Sequence, residues 1–307
     1  MNYHPDCILL VGHGSREESG NEEIREFVAQ WRARQPRWRI EVCFIEFAPP
    51  SLHDGLIAAA QGARRVLVLP LILNAAGHVK MEIPEAIEHA RAHCPGTAFL
   101  YGPHLTACDP ILAILKRRLR RAMNALDMPD PTTTGVILLG RGSSDRAANG
   151  DMAKMARWLQ EEGDHELVDL AFTGVTWPRL ESAVQRQVRL GMTQVAIVPV
   201  YLFTGVLIER IQEQVARLKQ QYPQVAFALG THFGFDPGIF ALLDARATSD
   251  QQEGAMLECD GCKYRALAED DHLHDHSHTA LPAGGCAHGH EHHHGHGHQH
   301  GCTHQHN

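Results

Sequence analysis

One run of residues occurs twice in this chain. Cys7-Ile8-Leu9-Leu10-Val11-Gly12-His13-Gly14-Ser15 has a counterpart 128 residues later in Gly135-Val136-Ile137-Leu138-Leu139-Gly140-Arg141-Gly142-Ser143. Four more landmarks repeat in the same order. The segment around Glu46 is answered by Ala171 to Pro178, and the run Val66 to Leu73 by Val195 to Leu202. Gly102-Pro103-His104 is answered by Gly230-Thr231-His232, and Asp109-Pro110 by Asp236-Pro237. Ordered recurrence at a spacing of about 128 residues marks a duplicated domain, so one fold must serve both halves.

The pattern inside each copy defines that fold. Short apolar runs bounded by glycine or proline read as strands buried on both faces, the habit of parallel sheets. In the first copy these are Cys7–Gly12, Arg39–Ile45, Val66–Leu73 and Thr97–Gly102. Between them, residues 21–35 carry Ile24, Phe27, Val28 and Trp31 at helical spacing. Ser51 can cap a helix running to Gln61, with Gly62 ending it. Residues 83–93 read as a helix with Pro84 in its first turn, and Pro110 opens a basic helix to about Asn124. Strands alternating with helices predict α/β architecture with parallel, doubly wound sheets. The expected organisation is a first domain over 1–126, a linker over 127–134, a second domain over 135–247 and a Cys/His-rich tail over 248–307.

The two copies differ where chemistry is concentrated. His13 becomes Arg141, Glu46 falls opposite Gly174, and His78 falls opposite Val206. The second copy keeps the strands and glycines but drops His, Glu and His together, which predicts one shared task for the three in the first half. Each follows a strand, where open α/β sheets gather their sites, and adjacent strands lie only about 5 Å apart. Two imidazoles suit Co²⁺, Ni²⁺, Fe²⁺ or Zn²⁺. The carboxylate can be a third ligand or a base, and so few protein ligands leave positions open. Arg16, Lys80, Arg141 and Arg146 flank the strand-end loops and are candidate cations for an anionic substrate, Arg141 reaching in from the opposite half.

Composition narrows the classes. The formal charge is −8, against the basic face that generic nucleic-acid binding calls for. No apolar run approaches the ~20 residues of a membrane span, and the first residues lack a secretory pattern, so a cytoplasmic protein is expected. Cys7, Cys43, Cys94 and Cys108 are scattered and read as core residues or ordinary thiols, whereas Cys259, Cys262, Cys286 and Cys302 gather in the tail. Fourteen of the 23 histidines lie between His272 and His306. That run, rich in glycine, is expected to be disordered without metal and to buffer or deliver metal.

The opening Leu-Leu-Val-Gly-His-Gly-Ser-Arg, the segment Phe-Ile-Glu-Phe-Ala-Pro-Pro-Ser and the stretch Pro-Leu-Ile-Leu-Asn-Ala-Ala-Gly-His-Val-Lys-Met-Glu-Ile-Pro resemble sirohydrochlorin chelatases of the CbiX type. The likeness covers residues 6–245 and is to the long, fused form. It implies two flavodoxin-like halves facing each other across a cleft, and insertion of Co²⁺ into sirohydrochlorin on the anaerobic route to cobalamin. It implies that His13 and His78 hold the metal, that His13 can also accept a proton, and that Glu46 is the acidic cleft residue. Leu73, Asn74, Ala75, Ala76 and Gly77 match a substrate-contacting segment. The Cys-x-x-Cys pair Cys259 and Cys262 is similar to an iron–sulfur segment of some long members; with Cys286 and Cys302 it leaves an iron–sulfur cluster or zinc open. Since the duplicated halves can supply both cleft walls, a monomer suffices, with a homodimer as the other arrangement. The rival readings are an Fe²⁺ or Ni²⁺ chelatase, a metal-storage protein or metallochaperone working through the tail, and a phosphohydrolase using Gly-His-Gly-Ser. The last lacks a nearby arginine–histidine pair.

Overall fold

The computed structural model describes residues 5–105 and 107–249. The calls on Cys259, Cys262, Cys286, Cys302, the histidine run and an iron–sulfur cluster lie outside the described residues.

Two four-stranded parallel sheets form the frame. In the first, β1 (Cys7–Gly12), β2 (Ile40–Phe44), β3 (Arg65–Pro70) and β4 (Ala98–Tyr101) lie in the order β2-β1-β3-β4. In the second, β5 (Thr134–Gly140), β6 (Val168–Phe172), β7 (Gln194–Pro199) and β8 (Ala226–Leu229) repeat it as β6-β5-β7-β8. The predicted α/β class and internal duplication are therefore present as two parallel-sheet units. The helices are α1 (Glu18–Arg34), α2 (Leu52–Ala60), α3 (Ile83–His93), α4 (Asp109–Met123), α5 (Arg146–Glu161), α6 (Leu180–Arg189), α7 (Val206–Gln221) and α8 (Pro237–Thr248). No helix among the described residues is long and apolar enough to cross a membrane.

Local chemistry explains several boundaries. Ser51 caps α2 by accepting from the Asp54 amide at 3.2 Å. The helix expected from residue 21 starts three residues earlier, and Asn21 in its first turn ties down the preceding loop. Asn21 accepts from the Ser15 amide at 2.8 Å and donates to the Ser15 carbonyl at 2.9 Å. Asn149 does the same for Ser143 in the second half. The strand expected through Leu73 stops at Pro70, and the Leu71 amide makes one more bond to the Val11 carbonyl. The helix expected from Ile83 is preceded by a π-helical turn over His78–Glu82. Pro84 cannot donate to the carbonyl four residues back, and its ring crowds that carbonyl. The widened turn, in which the Ile83 amide reaches the His78 carbonyl, accommodates it.

The packing joins the halves into one body. α2 and α3 cover the outer face of the first sheet through Leu56, Ile83 and Ile87. α6 and α7 cover the outer face of the second through Leu180, Val184 and Ile211. Between the sheets lies one continuous core built from α1, α4, α5 and α8. α4, which follows the first sheet in sequence, packs against β7 and β8 of the second. α8, which follows the second sheet, returns to α1 of the first. Phe240 stacks on Phe27 with ring centroids 4.2 Å apart, and the Trp31 indole donates to Asp244 at 2.8 Å. Arg246 of α8 donates to the carbonyls of Pro103, His104 and Leu105. The basic residues of α4 serve the same union: Arg117 and Arg118 pair with Asp236, the residue that caps α8.

Candidate active site

Three strand ends build the site. His13 directly follows β1, and Glu46 lies two residues beyond β2. Past their ladder, the Ile45 amide bonds the Gly12 carbonyl and the Glu46 amide bonds the His13 carbonyl, each at 3.0 Å. Gly14 is required at this crossing. Its φ is +87°, and a Cβ there would lie 1.8 Å from the Glu46 carbonyl oxygen. His78 opens the π-helical turn after β3, and the Tyr101 hydroxyl steadies that turn by donating to the Val79 carbonyl at 2.8 Å.

These constraints bring the predicted trio together. One ligand atom each from His13, Glu46 and His78 lie within 4.8 Å of one another, and all three residues are half-buried. The imidazoles meet edge to face with centroids 4.6 Å apart. His13 Nδ1 is 3.1 Å from the Gly14 carbonyl and must carry the proton to donate to it, which leaves Nε2 with its lone pair. A backbone carbonyl orienting the far nitrogen of a histidine is the usual support for a metal ligand. Burial, then the neighbouring His78, lower the His13 pKa; the Gly14 bond opposes them, Arg141 adds to the lowering, and Glu46 raises it. The net effect is a neutral imidazole, the form that binds metal. His78 Nδ1 lies 2.9 Å from a Glu82 oxygen, a contact of suitable distance for an ion pair but out of line for a hydrogen bond.

The second half reaches the site through Arg141. Arg141, standing where the first half has His13, brings a guanidinium nitrogen to 3.4 Å from His13 Nε2. The copies repeat the same local geometry. Gly142 has φ +86°, and a Cβ there would meet the Gly174 carbonyl at 2.3 Å, as Gly14 would meet Glu46. Tyr201 and Thr173 face each other at 2.7 Å, and burial pushes the Tyr201 hydroxyl up to about 12, so it stays protonated.

The remaining candidates divide. Arg16, Arg141 and Arg146 are exposed. Lys80, expected as a substrate cation, is instead committed to a buried ion pair with Asp145, the N-cap of α5. Of the expected substrate segment, Leu73 and Ala75 bury their side chains, Asn74 and Ala76 are half-buried, and Gly77 is exposed. Asn74 Oδ1 is shut off from solvent and has no hydrogen-bond partner among the described residues. The loop-tying Asn21 and Asn149 and the clamp residue Asp145 were missed from sequence. The asparagines' shared place six residues after each Gly-x-Gly-Ser serine was the available signal; nothing local marks Asp145 as a partner of Lys80.

Comparison with known proteins agrees with the fold and its duplication. The sequence profile of the CbiX family matches twice, over residues 7–122 and 135–250. The chain belongs to the CbiX family. Among CbiX relatives, it is 39% identical to the sirohydrochlorin cobaltochelatase of Priestia megaterium over 279 residues, 89% of each chain. It is 31% identical over 239 residues to the sirohydrochlorin ferrochelatase of the same organism, covering 78% of this chain and 88% of that one. The solved structure of SirB from Bacillus subtilis with Fe3+ superposes with a TM-score of 0.70 at 30% identity, covering 81% of this chain and 97% of that one. In CbiX terms, both repeats of this chain carry the fold, and the first carries the trio of His13, Glu46 and His78.

Proposed function

We propose that this chain is a sirohydrochlorin chelatase that inserts Co²⁺ into the macrocycle to give cobalt-sirohydrochlorin, a step of anaerobic cobalamin synthesis. The observation that carries the reading is the open trio of His13, Glu46 and His78 beside a neutral His13 Nε2. The substrate metal arrives hydrated and is held by the two imidazoles, with Glu46 as a third donor. So few protein ligands leave coordination positions for the incoming pyrrole nitrogens. Metallation releases two pyrrole protons, and the freed imidazole of His13 and the Glu46 carboxylate are placed to accept them. Arg16, Arg141 and Arg146 supply positive charge for the substrate's rim of carboxylates, which an acidic protein must provide locally.

Cobalt is favoured by the higher identity to the cobaltochelatase, 39% against 31% for the ferrochelatase of the same organism. Iron is the second reading, because a ligand set of imidazole and carboxylate accepts either ion. The histidine-rich tail is proposed as a metal reservoir for the cleft. One chain contains both cleft walls, so a monomer is proposed to be sufficient.

The test is metallation of sirohydrochlorin followed by loss of the free-base absorbance, with Co²⁺, Fe²⁺ and Ni²⁺ in separate reactions. The expected result is acceleration over the spontaneous rate, fastest with Co²⁺ and abolished in His13→Ala and His78→Ala. No acceleration with any ion, alongside extensive metal binding, would favour a storage protein.

A further inference from the structure

The chain exposes large apolar side chains at matched places in its two halves. Phe47 is 54% exposed, Val175 61% and Trp177 68%. Phe47 and Val175 occupy equivalent positions, each one residue after the strand-end position that differs as Glu46 and Gly174. Each also sits at the centre of a tight turn with positive φ, +62° at Phe47 and +61° at Val175. The Ala48 amide closes the first turn on the Glu46 carbonyl at 2.8 Å, and the Thr176 amide closes the second on the Gly174 carbonyl at 2.6 Å. A γ-turn of this hand is rare and strained, and in Val175 the strain falls on a β-branched residue. Glycine would relieve it, yet both halves use a large apolar residue that points into solvent. Strain kept at such positions, with more than half of each residue's surface left in solvent, points to a ligand.

The location and the surrounding charge identify the ligand's chemistry. Each turn is one hydrogen bond from the His13–Arg141 contact: the Glu46 amide bonds the His13 carbonyl, and the Gly174 amide bonds the Arg141 carbonyl, both at 3.0 Å. The exposed residues therefore flank the trio from opposite halves. An arginine lies over each exposed ring. The Arg16 guanidinium is 5.1 Å from the Phe47 ring centre, and that of Arg179 is 5.1 Å from the Trp177 ring centre. An apolar side chain with a cation over one face of its ring, presented from both halves, complements a flat, unsaturated disc whose rim carries carboxylates.

We propose that Phe47 on one side and Val175 with Trp177 on the other are jaws that grip the two faces of the tetrapyrrole, while Arg16 and Arg179 receive its rim carboxylates. This rests on the chelatase reading and assigns the face contacts within it. The turns hold their side chains out before the substrate arrives, so less ordering is needed on binding.

The discriminating variant is Phe47→Gly in the full chain. Glycine adopts positive φ without strain, so the melting temperature should equal or exceed that of the wild type. The dissociation constant for metal-free sirohydrochlorin, from equilibrium titration, should rise about tenfold. Trp177→Ala should weaken binding similarly, Phe47→Leu should recover most of the loss, and Arg16→Gln should reduce the salt dependence of binding. Unchanged affinity in both Phe47→Gly and Trp177→Ala, with a wild type that binds tightly, would overturn the jaws and leave the chelatase reading standing. Parallel loss of melting temperature and affinity in Phe47→Gly would also overturn them, because the side chain would then be supporting the fold. A wild type that does not bind sirohydrochlorin would overturn the jaws together with the functional reading.

Discussion

The ion pair between Lys80 and Asp145 makes a demanding test of how the cleft is held. The two side chains are 10% and 5% exposed, and they come from different halves. Lys80 sits in the π-helical turn two residues after His78, and Asp145 caps α5 by accepting from the Ala147 amide at 2.9 Å. Removing Asp145 takes from the Lys80 ammonium the carboxylate it meets among the described residues, in a buried site. Breaking a buried pair from one side costs about 3–5 kcal/mol, and losing an N-cap adds about 1 kcal/mol. Asp145→Ala should therefore destabilise by roughly 4–6 kcal/mol. For a folded body of this size that is a fall in melting temperature on the order of 10–20 °C. Removing both charges in Lys80→Met/Asp145→Leu should restore most of the loss, because a buried pair and an apolar replacement are nearly equivalent. Urea denaturation of the wild type, both single variants and the double variant completes the cycle. Cobalt titration of the folded Asp145→Ala chain should show weaker uptake at the cleft, since the turn carrying His78 has lost its anchor. A single-variant cost below about 1 kcal/mol, the scale of a screened surface pair, would refute this account. So would a double variant no more stable than the singles.

Two further outcomes follow from the site. His13 is held below its ordinary pKa of 6.5, chiefly by burial and then by His78, with Arg141 contributing and the Gly14 bond and Glu46 opposing. Its lone pair stays available as pH falls through 6.5, so protonation of the His13 ring, followed by NMR titration, lies below that pH and moves up in Arg141→Gln; a His13 titration that does not move would exclude Arg141 as a contributor. Gly14→Ala and Gly142→Ala should each destabilise by more than about 1 kcal/mol, since both need positive φ and both meet a carbonyl. Only Gly14→Ala should abolish the cobalt uptake that depends on His13, because it alone displaces Glu46; thermal melts and metal titrations of the two variants check this.

The sequence by itself determined the strands, their duplication and the convergence of His13, Glu46 and His78. These depend on local facts: apolar runs, glycines at crossings, and the loss of His13, Glu46 and His78 together in the second copy. Parallel register then forces residues after adjacent strands to converge, so the trio was legible without coordinates. Only the tertiary structure decided which sheet each helix covers. A helix's apolar stripe says that it must be buried, not against what, and so α4 could not be assigned to the second sheet or α8 to α1. The same limit applies to single charges. Lys80 looked like a substrate cation because its partner Asp145 is 65 residues away and in the other half. The turns at Phe47 and Val175 were equally hidden, because positive φ at a large side chain runs against local preference and is imposed by the hydrogen bonds that pin each loop to its neighbouring strand.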